Sequence, residues 1–144
     1  MAEDDFGGWR LLTKALGDEV TLLGDDVFAT DPDAISTAIV DEIGNAVLVK
    51  IDQIGTVMEA MEAIEEARAG RYGIVVSGRS GDTIDDFIAD FAVATAAGAF
   101  KSGAPCRGEH VAKYNQLLRI EEQLEGTARY AGPRGLRPRV DAKP

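Results

Sequence analysis

A unit of short apolar strand, polar loop and helix recurs along this 144-residue chain, and this repeat constrains the fold more than any other feature. The strand runs are short and β-rich, and a helical pattern follows each of them. Because a crossover helix separates successive strands, the strands are expected to be parallel. Apolar runs without alternation are typical of a sheet that is covered on both faces. The sequence therefore predicts an α/β fold with four parallel strands.

Local signals place the boundaries of these units. Thr30, Asp31 and Pro32 predict a helix cap with proline at the first helical position, and Thr56 with Glu59 predicts a capping box. Apolar runs predict strands at residues 20–23, 46–51, 74–76 and 99–101, and periodicity predicts helices at 6–16, 34–43, 57–68, 83–97 and after 106, with a loop at 52–55.

Length and composition indicate one soluble globular domain. Hydrophobic residues make up 45% and charged residues 28% of the chain, which is ordinary for this class. Residues 1–131 are expected to form the domain. Residues 132–144 mix Gly, Pro and Arg without periodicity, so we expect a flexible tail there.

Charge and cysteine usage restrict the partners and the compartment. The formal net charge of −10 argues against nucleic acid, because neutralising phosphates requires a basic surface. No apolar run approaches the roughly 18 residues of a membrane span, so we expect no membrane partner. Cys106 is the single cysteine, which suits a reducing cytoplasm, and we interpret it as an inert, small apolar residue.

Polar residues recur at the same place in each unit, at or just beyond the C-terminal end of a strand. Asp25, Lys50, Ser77 and Lys101 follow one another at intervals of 25, 27 and 24 positions. Since the carboxyl ends of parallel strands meet at one rim, these side chains should converge there. Both a (β/α) barrel and a doubly wound sheet bind their ligands at this rim.

The segment GIVVSGRSGDT, residues 73–83, joins a strand to a helix through small polar residues and one arginine. Ser77, Arg79 and Ser80 offer two hydroxyls and a forked cation where the next helix should point its free N–H groups. This combination suits phosphate or carboxylate. The structural alternative is an ordinary turn, in which glycine adopts the required backbone angles, the arginine is a surface residue and the hydroxyls cap the next helix.

Two lysines and an aspartate extend this chemistry. Lys50, in AVLVKI, is flanked by apolar residues, and desolvation with nearby cations can turn such a lysine into a general base. Lys101, in AFKSG, is expected to share that setting, and Asp25 is a hard oxygen ligand of the kind that Mg²⁺ takes. The alternative for either lysine is a structural ion pair with Asp25 or Asp26. His110 is interpreted as a surface residue.

Four segments carry a resemblance to a known family: LLGDDVFATDP, NAVLVKIDQIGT, VVSGRSGDTIDDFIADFAVATAAGAFKSGAP and AKYNQLLRIEEQL. They closely resemble the C-terminal half of enolase, phosphopyruvate hydratase, over about residues 2–130. The resemblance implies a partial (β/α) barrel of four parallel βα units, half of an enolase-type TIM barrel. It also implies a magnesium-dependent hydro-lyase of glycolysis that interconverts 2-phosphoglycerate and phosphoenolpyruvate. The expected substrate is thus a phosphorylated small carboxylic acid.

The resemblance implies a role for each rim residue. Asp25 resembles one of three carboxylates that bind Mg²⁺, and Lys50 resembles the base that removes the proton beside the substrate carboxylate. Arg79 and Ser80 resemble the phosphate contacts, with Ser77 counted among the substrate-binding residues. Lys101 resembles the lysine on the carboxylate side of the substrate.

Three positions differ from the enolase pattern. Gly78 stands where enolases usually carry His, Asp52 where they carry Asn, and Asp82 where they carry Glu. Gly78 removes an imidazole from the substrate pocket. It thereby favours, as an alternative, an enolase-like enzyme of phosphonate or carboxyphosphonate metabolism.

The resemblance starts in the middle of the family's barrel. A half-barrel has open strand edges, so we expect a separate N-terminal enolase half to complete it, or a homo-oligomer as the weaker possibility. A catalytically inactive binding subunit is the remaining alternative. Retention of Asp25, Lys50, Arg79, Ser80 and Lys101 together argues against it.

Overall fold

Four parallel strands form one sheet in the computed structural model, which describes residues 1–132, 135 and 136. The predicted α/β fold is therefore confirmed. The elements in chain order are α1 Phe6–Leu16, β1 Leu23–Gly24, α2 Pro32–Val40, β2 Ala46–Val49, α3 Ile51–Ile54, α4 Val57–Ala69, β3 Gly73–Ser77, α5 Phe87–Ala94, β4 Ala99–Lys101 and α6 Gly108–Gln123.

The strand order distinguishes between the two kinds of parallel sheet. Strands that are consecutive in the chain are neighbours in the sheet, in the order β1-β2-β3-β4. Leu23 lies opposite Ala46, and Ser77 lies opposite Lys101. A doubly wound sheet reverses its strand order at a switch point, whereas a barrel adds strands in sequence. The sheet is therefore an arc of a (β/α) barrel, as the resemblance implies.

The core lies between one face of this sheet and three helices. Val47, Val49 and Val76 are fully buried on that face. Ile35 of α2 and Ile64 of α4 are packed in the same cluster, together with Phe91 of α5. Burial of each such side chain stabilises the fold by about 1.5–3 kcal/mol. This packing fixes the strand ends that carry the polar residues.

Two predicted helix starts are confirmed by their caps. The Asp31 carboxylate accepts the Asp33 N–H at 2.9 Å, with Pro32 as the first helical residue of α2. The Thr56 hydroxyl accepts the Glu59 N–H at 3.2 Å and contacts the Glu59 carboxylate at 2.6 Å. These contacts satisfy donors that a helix N-terminus otherwise leaves free.

The first strand is shorter than the predicted strand 20–23, because an asparagine side chain replaces its ladder bonds. The Asn45 side-chain oxygen accepts the Leu22 N–H at 2.7 Å, and its amide group donates to the carbonyls of Gly17 and Val20, both at 2.9 Å. Only Leu23 and Gly24 then pair with β2.

The start of α5 and the loop at 52–55 also differ from the prediction. Helix α5 begins at Phe87 rather than at Thr83, because side chains bond locally before it. The Thr83 hydroxyl accepts the Asp85 N–H at 3.2 Å, and the Asp85 carboxylate accepts the Phe87 N–H at 3.0 Å. The predicted loop 52–55 is largely one helical turn, α3, closed by a bond of 2.9 Å from Gly55 N–H to the Ile51 carbonyl.

The predicted tail, residues 132–144, lies for the most part outside the described residues. Gly135 and Leu136, which are described, lie against Gly98 and Gly73. A Cβ added to Gly73 would come within 2.7 Å of the Leu136 carbonyl oxygen, so this close approach needs glycine. Within the described part of the chain, no helix combines the length and the apolar content that crossing a membrane requires.

Tyr72 gives the fold a testable dependence on pH. Its hydroxyl donates to the Ile43 carbonyl at 3.0 Å. Burial, and secondarily the charge of Glu42, raises the pKa of Tyr72 to about 12. Between about pH 10 and about pH 12 the unfolded chain releases this proton while the native state keeps it, so stability falls.

We expect Tyr72→Phe to unfold more easily at neutral pH but to lose less stability over this alkaline interval than the parent chain. Urea unfolding at several pH values measures the free energy of unfolding of both proteins. The contributions of the other titrating groups cancel in the difference between the two. A difference that does not change with pH would contradict the assignment.

Candidate functional site

The C-terminal ends of the four strands form the rim where the predicted site residues lie. Asp25 directly follows β1, Lys50 directly follows β2, and Ser77 and Lys101 end β3 and β4. Lys101 lies opposite Ser77, and the register of β2 and β3 continues to Lys50 beside Ser77. With neighbouring strands about 4.8 Å apart, the Cα atoms of Lys50 and Lys101 are roughly 10 Å apart. The four residues thus share one rim, as their spacing predicts.

Lys50 and Asp25 form an ion pair on this rim. Lys50 is 8% exposed, and its Nζ donates to Asp25 Oδ1. The Lys50 backbone N–H donates to the hydroxyl of fully buried Thr30 at 3.0 Å, and that hydroxyl donates to Gln53 Oε1 at 3.1 Å. These bonds fix the backbone from which Lys50 projects. The ion pair, the structural alternative for Lys50, is present and engages one oxygen of Asp25.

Ser77 and Lys101 lie side by side in very different environments. Ser77 is fully buried, and its hydroxyl donates to the Gly78 carbonyl at 2.8 Å. Lys101 is exposed and forms no ion pair with any described residue. The expectation that Lys101 shares the buried setting of Lys50 is wrong, because β4 lies at the edge of the sheet.

Residues 78–86, which we call the anion loop, border an open groove of about 510 Å³. Arg79 and Ser80 line it, whereas Asp25, Lys50 and Lys101 do not. The sequence predicts a helix N-terminus beside these residues, but α5 begins only at Phe87. The Phe87 N–H donates to the Asp85 carboxylate, so it is not free to bind an anion. The groove can therefore hold an anion through the guanidinium and hydroxyl, without help from the helix.

Arg79 already has a partner among the residues that line the groove. Its Nη1 lies 3.3 Å from Asp52 Oδ2, and the two side chains are 47% and 61% exposed. Exposed pairs of this kind contribute about 0.2–1 kcal/mol. An incoming phosphate can therefore replace Asp52 at little cost.

Sequence reasoning missed Lys113 on α6. This lysine is 1% exposed and lines the groove. Its Nζ donates to the Thr83 carbonyl at 2.8 Å and to the Glu109 carbonyl at 3.0 Å. Its helical spacing to Leu117 and Ile120, four and seven positions later, is the signal that places it on the core-facing side.

Two minor interpretations change. His110 is half-buried rather than a surface residue: its ring lies against Gly103, and its buried Nδ1 lacks a hydrogen-bond partner among the described residues. Cys106, interpreted as an inert, small apolar residue, is exposed rather than buried.

The described residues do not by themselves fit a magnesium ion. No group of three or more His, Cys, Asp or Glu side chains among them is arranged to hold a metal. Asp25 offers one carboxylate, and one of its oxygens contacts Lys50. Magnesium prefers six oxygen ligands, so this part of the chain could contribute to such a site without completing it.

Comparison with known proteins decides the family. The family model described as "Enolase, C-terminal TIM barrel domain" matches residues 1–138. The chain belongs to the enolase family. It is 58% identical to an enolase of Acidothermus cellulolyticus, 54% to enolase 2 of Pseudomonas syringae pv. syringae and 52% to enolase 2 of Methanospirillum hungatei. Each match covers 92% of this chain and 31% of the relative, so the chain spans about a third of these enolases.

The three departures from the enolase pattern lie together. Asp52, Gly78 and Asp82 all line the groove beside the anion loop. A Cβ at Gly78 would lie 3.4 Å from Asp82 Oδ2 and 3.9 Å from Lys113 Cε, which are close but tolerable contacts. Glycine thus leaves space in the groove that an enolase side chain would occupy.

The Arg79–Asp52 pair predicts the effect of replacing the Asp52 carboxylate by the amide that the enolase pattern implies at this position. We expect Asp52→Asn to tighten binding of inorganic phosphate by up to about fivefold, because phosphate no longer has to displace a carboxylate from Arg79. Chemical-shift titration of the Arg79 and Ser80 amides measures the dissociation constant. Asp18→Asn removes the same charge from an exposed position and should leave that constant unchanged. Equal effects of the two variants would contradict competition at Arg79.

Proposed function

We propose that this chain supplies half of the active-site rim of a magnesium-dependent enolase that interconverts 2-phosphoglycerate and phosphoenolpyruvate. The observation that carries the proposal is the sharing of one rim by Lys50, Asp25 and Lys101, next to a groove lined by Arg79 and Ser80. The substrate carries a carboxylate and a phosphate, and this arrangement offers separate cations for each.

The residues divide the chemistry among them. Lys50, as the neutral amine, accepts the proton alpha to the substrate carboxylate. Lys101, exposed at the edge of the sheet, binds the carboxylate, while Arg79 and Ser80 bind the phosphate. Asp25 contributes one carboxylate to a magnesium site whose other ligands come from outside the described residues.

Completion of the barrel is part of the proposal. Strands β1 and β4 each have one neighbour in the four-stranded sheet, and a TIM barrel closes with eight strands. Open edges present unpaired N–H and C=O groups to other strands. We infer that an N-terminal enolase half supplies the strands that complete the barrel, with a homo-oligomer as the alternative.

One observation favours a second candidate function. The space beside Gly78 would admit a substituent that an enolase side chain excludes. This supports an enolase-like enzyme acting on a phosphonate or carboxyphosphonate. An inactive binding subunit is the third candidate, which the incomplete metal site supports.

Complementation tests the proposal. The chain is coexpressed with the N-terminal half of an enolase, and phosphoenolpyruvate formation is measured with magnesium present. We expect Lys50→Ala to lower kcat at least about 100-fold, because general base catalysis contributes factors of that size. Lys14→Ala, on the exposed side of α1, is the matched control and should retain activity.

The control measurement is thermal unfolding of both variants in the complemented assembly. If Lys50→Ala assembles and melts like the parent and retains full activity, Lys50 is not the base. A chain that remains a stable monomer and gains no activity with any N-terminal half would contradict completion of the barrel by such a half. Turnover of a phosphonate instead of 2-phosphoglycerate would select the second candidate.

A further inference from the structure

Lys113 is the most buried charged side chain of the described residues, and the proposed chemistry does not use it. An ammonium group has three donors, and three oxygen atoms lie around it here, two at hydrogen-bond distance and one as an ion-pair partner. Two are the carbonyls of Thr83 and Glu109, at 2.8 and 3.0 Å, and the third is Asp82 Oδ2 at 3.5 Å. A lysine is buried at this depth only when such partners compensate its desolvation.

Two of these three acceptors belong to the anion loop. Lys113 is 30 positions away from Thr83 in sequence, so its bonds tie the loop to a different part of the fold. The other bonds formed by the middle of the loop are local, from the Asp82 carboxylate to the Thr83 N–H and from the Thr83 hydroxyl to the Asp85 N–H. Lys113 is therefore the cross-link between the middle of this loop and α6.

A purely structural role, docking of α6, is served by other side chains. Gln116 donates to both carboxylate oxygens of Asp90 at 3.0 and 3.1 Å, and Arg119 lies 3.3 Å from Asp86 Oδ2. These contacts join α6 to α5 and the end of the loop without Lys113. Removal of the Lys113 ammonium should therefore affect the middle of the loop and leave the helix in place.

We propose that Lys113 is a positioning residue that holds the anion loop so that Arg79 and Ser80 face the groove. Its two loop acceptors, Asp82 and Thr83, follow those two residues in the chain with only Gly81 between them. The function of the ordered loop as a phosphate site rests on the proposed function, whereas the ordering itself does not.

Two measurements on the full chain test the ordering of the loop and its binding of phosphate separately. The first is backbone ¹⁵N relaxation of the loop. We expect order parameters near 0.85 at residues 79–83 in the parent and below about 0.6 in Lys113→Met, with α6 unchanged in both. Lys14→Met is the matched control and should leave the loop ordered. A loop that is mobile in the parent, or equally ordered in Lys113→Met, would overturn the proposal.

The second measurement is titration with inorganic phosphate. We expect Lys113→Met to weaken phosphate binding by about 10-fold or more, which corresponds to loss of hydrogen bonds to a charged group. Unchanged affinity in Lys113→Met, with binding still dependent on Arg79, overturns the positioning role and leaves the proposed function intact. Absence of phosphate binding by the parent contradicts the anion site, and the relaxation data still decide whether Lys113 orders the loop.

Lys113→Met leaves Asp82 without its cation, so a second variant guards against unfolding. Lys113→Met with Asp82→Asn removes both charges, and no uncompensated carboxylate remains beside α6. We expect this double variant to keep the parent's near-ultraviolet circular dichroism while its loop is mobile and its phosphate binding is weak. A double variant with an ordered loop and parental affinity would overturn the proposal.

Discussion

Parallel pairing of four consecutive strands is the constraint on which the rest of this structure depends. Because each strand runs in the same direction, every strand-to-helix junction falls on one rim, and the polar residues at those junctions become neighbours. Residues about 25 positions apart in sequence therefore act as one set. The helices that pack on one face of the sheet, with Ile35 and Ile64 in the core, hold the strands in this arrangement.

Two cations at or beside the rim have local partners, although the chain as a whole is strongly acidic. Lys50 is paired with Asp25, and Arg79 with Asp52. The two pairs differ in burial: Lys50 is almost enclosed, whereas both members of the Arg79 pair are exposed. The exposed pair exchanges with a ligand easily, whereas the enclosed lysine keeps a fixed position. Such a combination suits one residue that binds and another that reacts.

The sequence predicted the fold well because its signals are local and strong. Asp31 and Thr56 mark helix starts, and continuous apolar runs mark buried strands. It predicted less well where side chains replace backbone bonds. Asn45 shortens the first strand and Asp85 delays α5, and neither effect follows from propensity.

The site was predictable to the same extent. Spacing alone placed Asp25, Lys50 and Lys101 on one rim, but it could not distinguish an enclosed lysine from an edge lysine, because that depends on strand order. Lys113 escaped notice because a lysine in a polar helix is usually solvated, and only its three acceptors reveal its burial.

The central claim is that this rim is half of an active site, and a crystal structure of the chain assembled with an N-terminal enolase half and phosphoenolpyruvate tests it most directly. The account predicts that β1 and β4 both pair with strands of the added half and that the ligand phosphate contacts Arg79 and Ser80. An assembly in which either edge stays open, or in which the ligand binds away from Lys50 and Arg79, would contradict it.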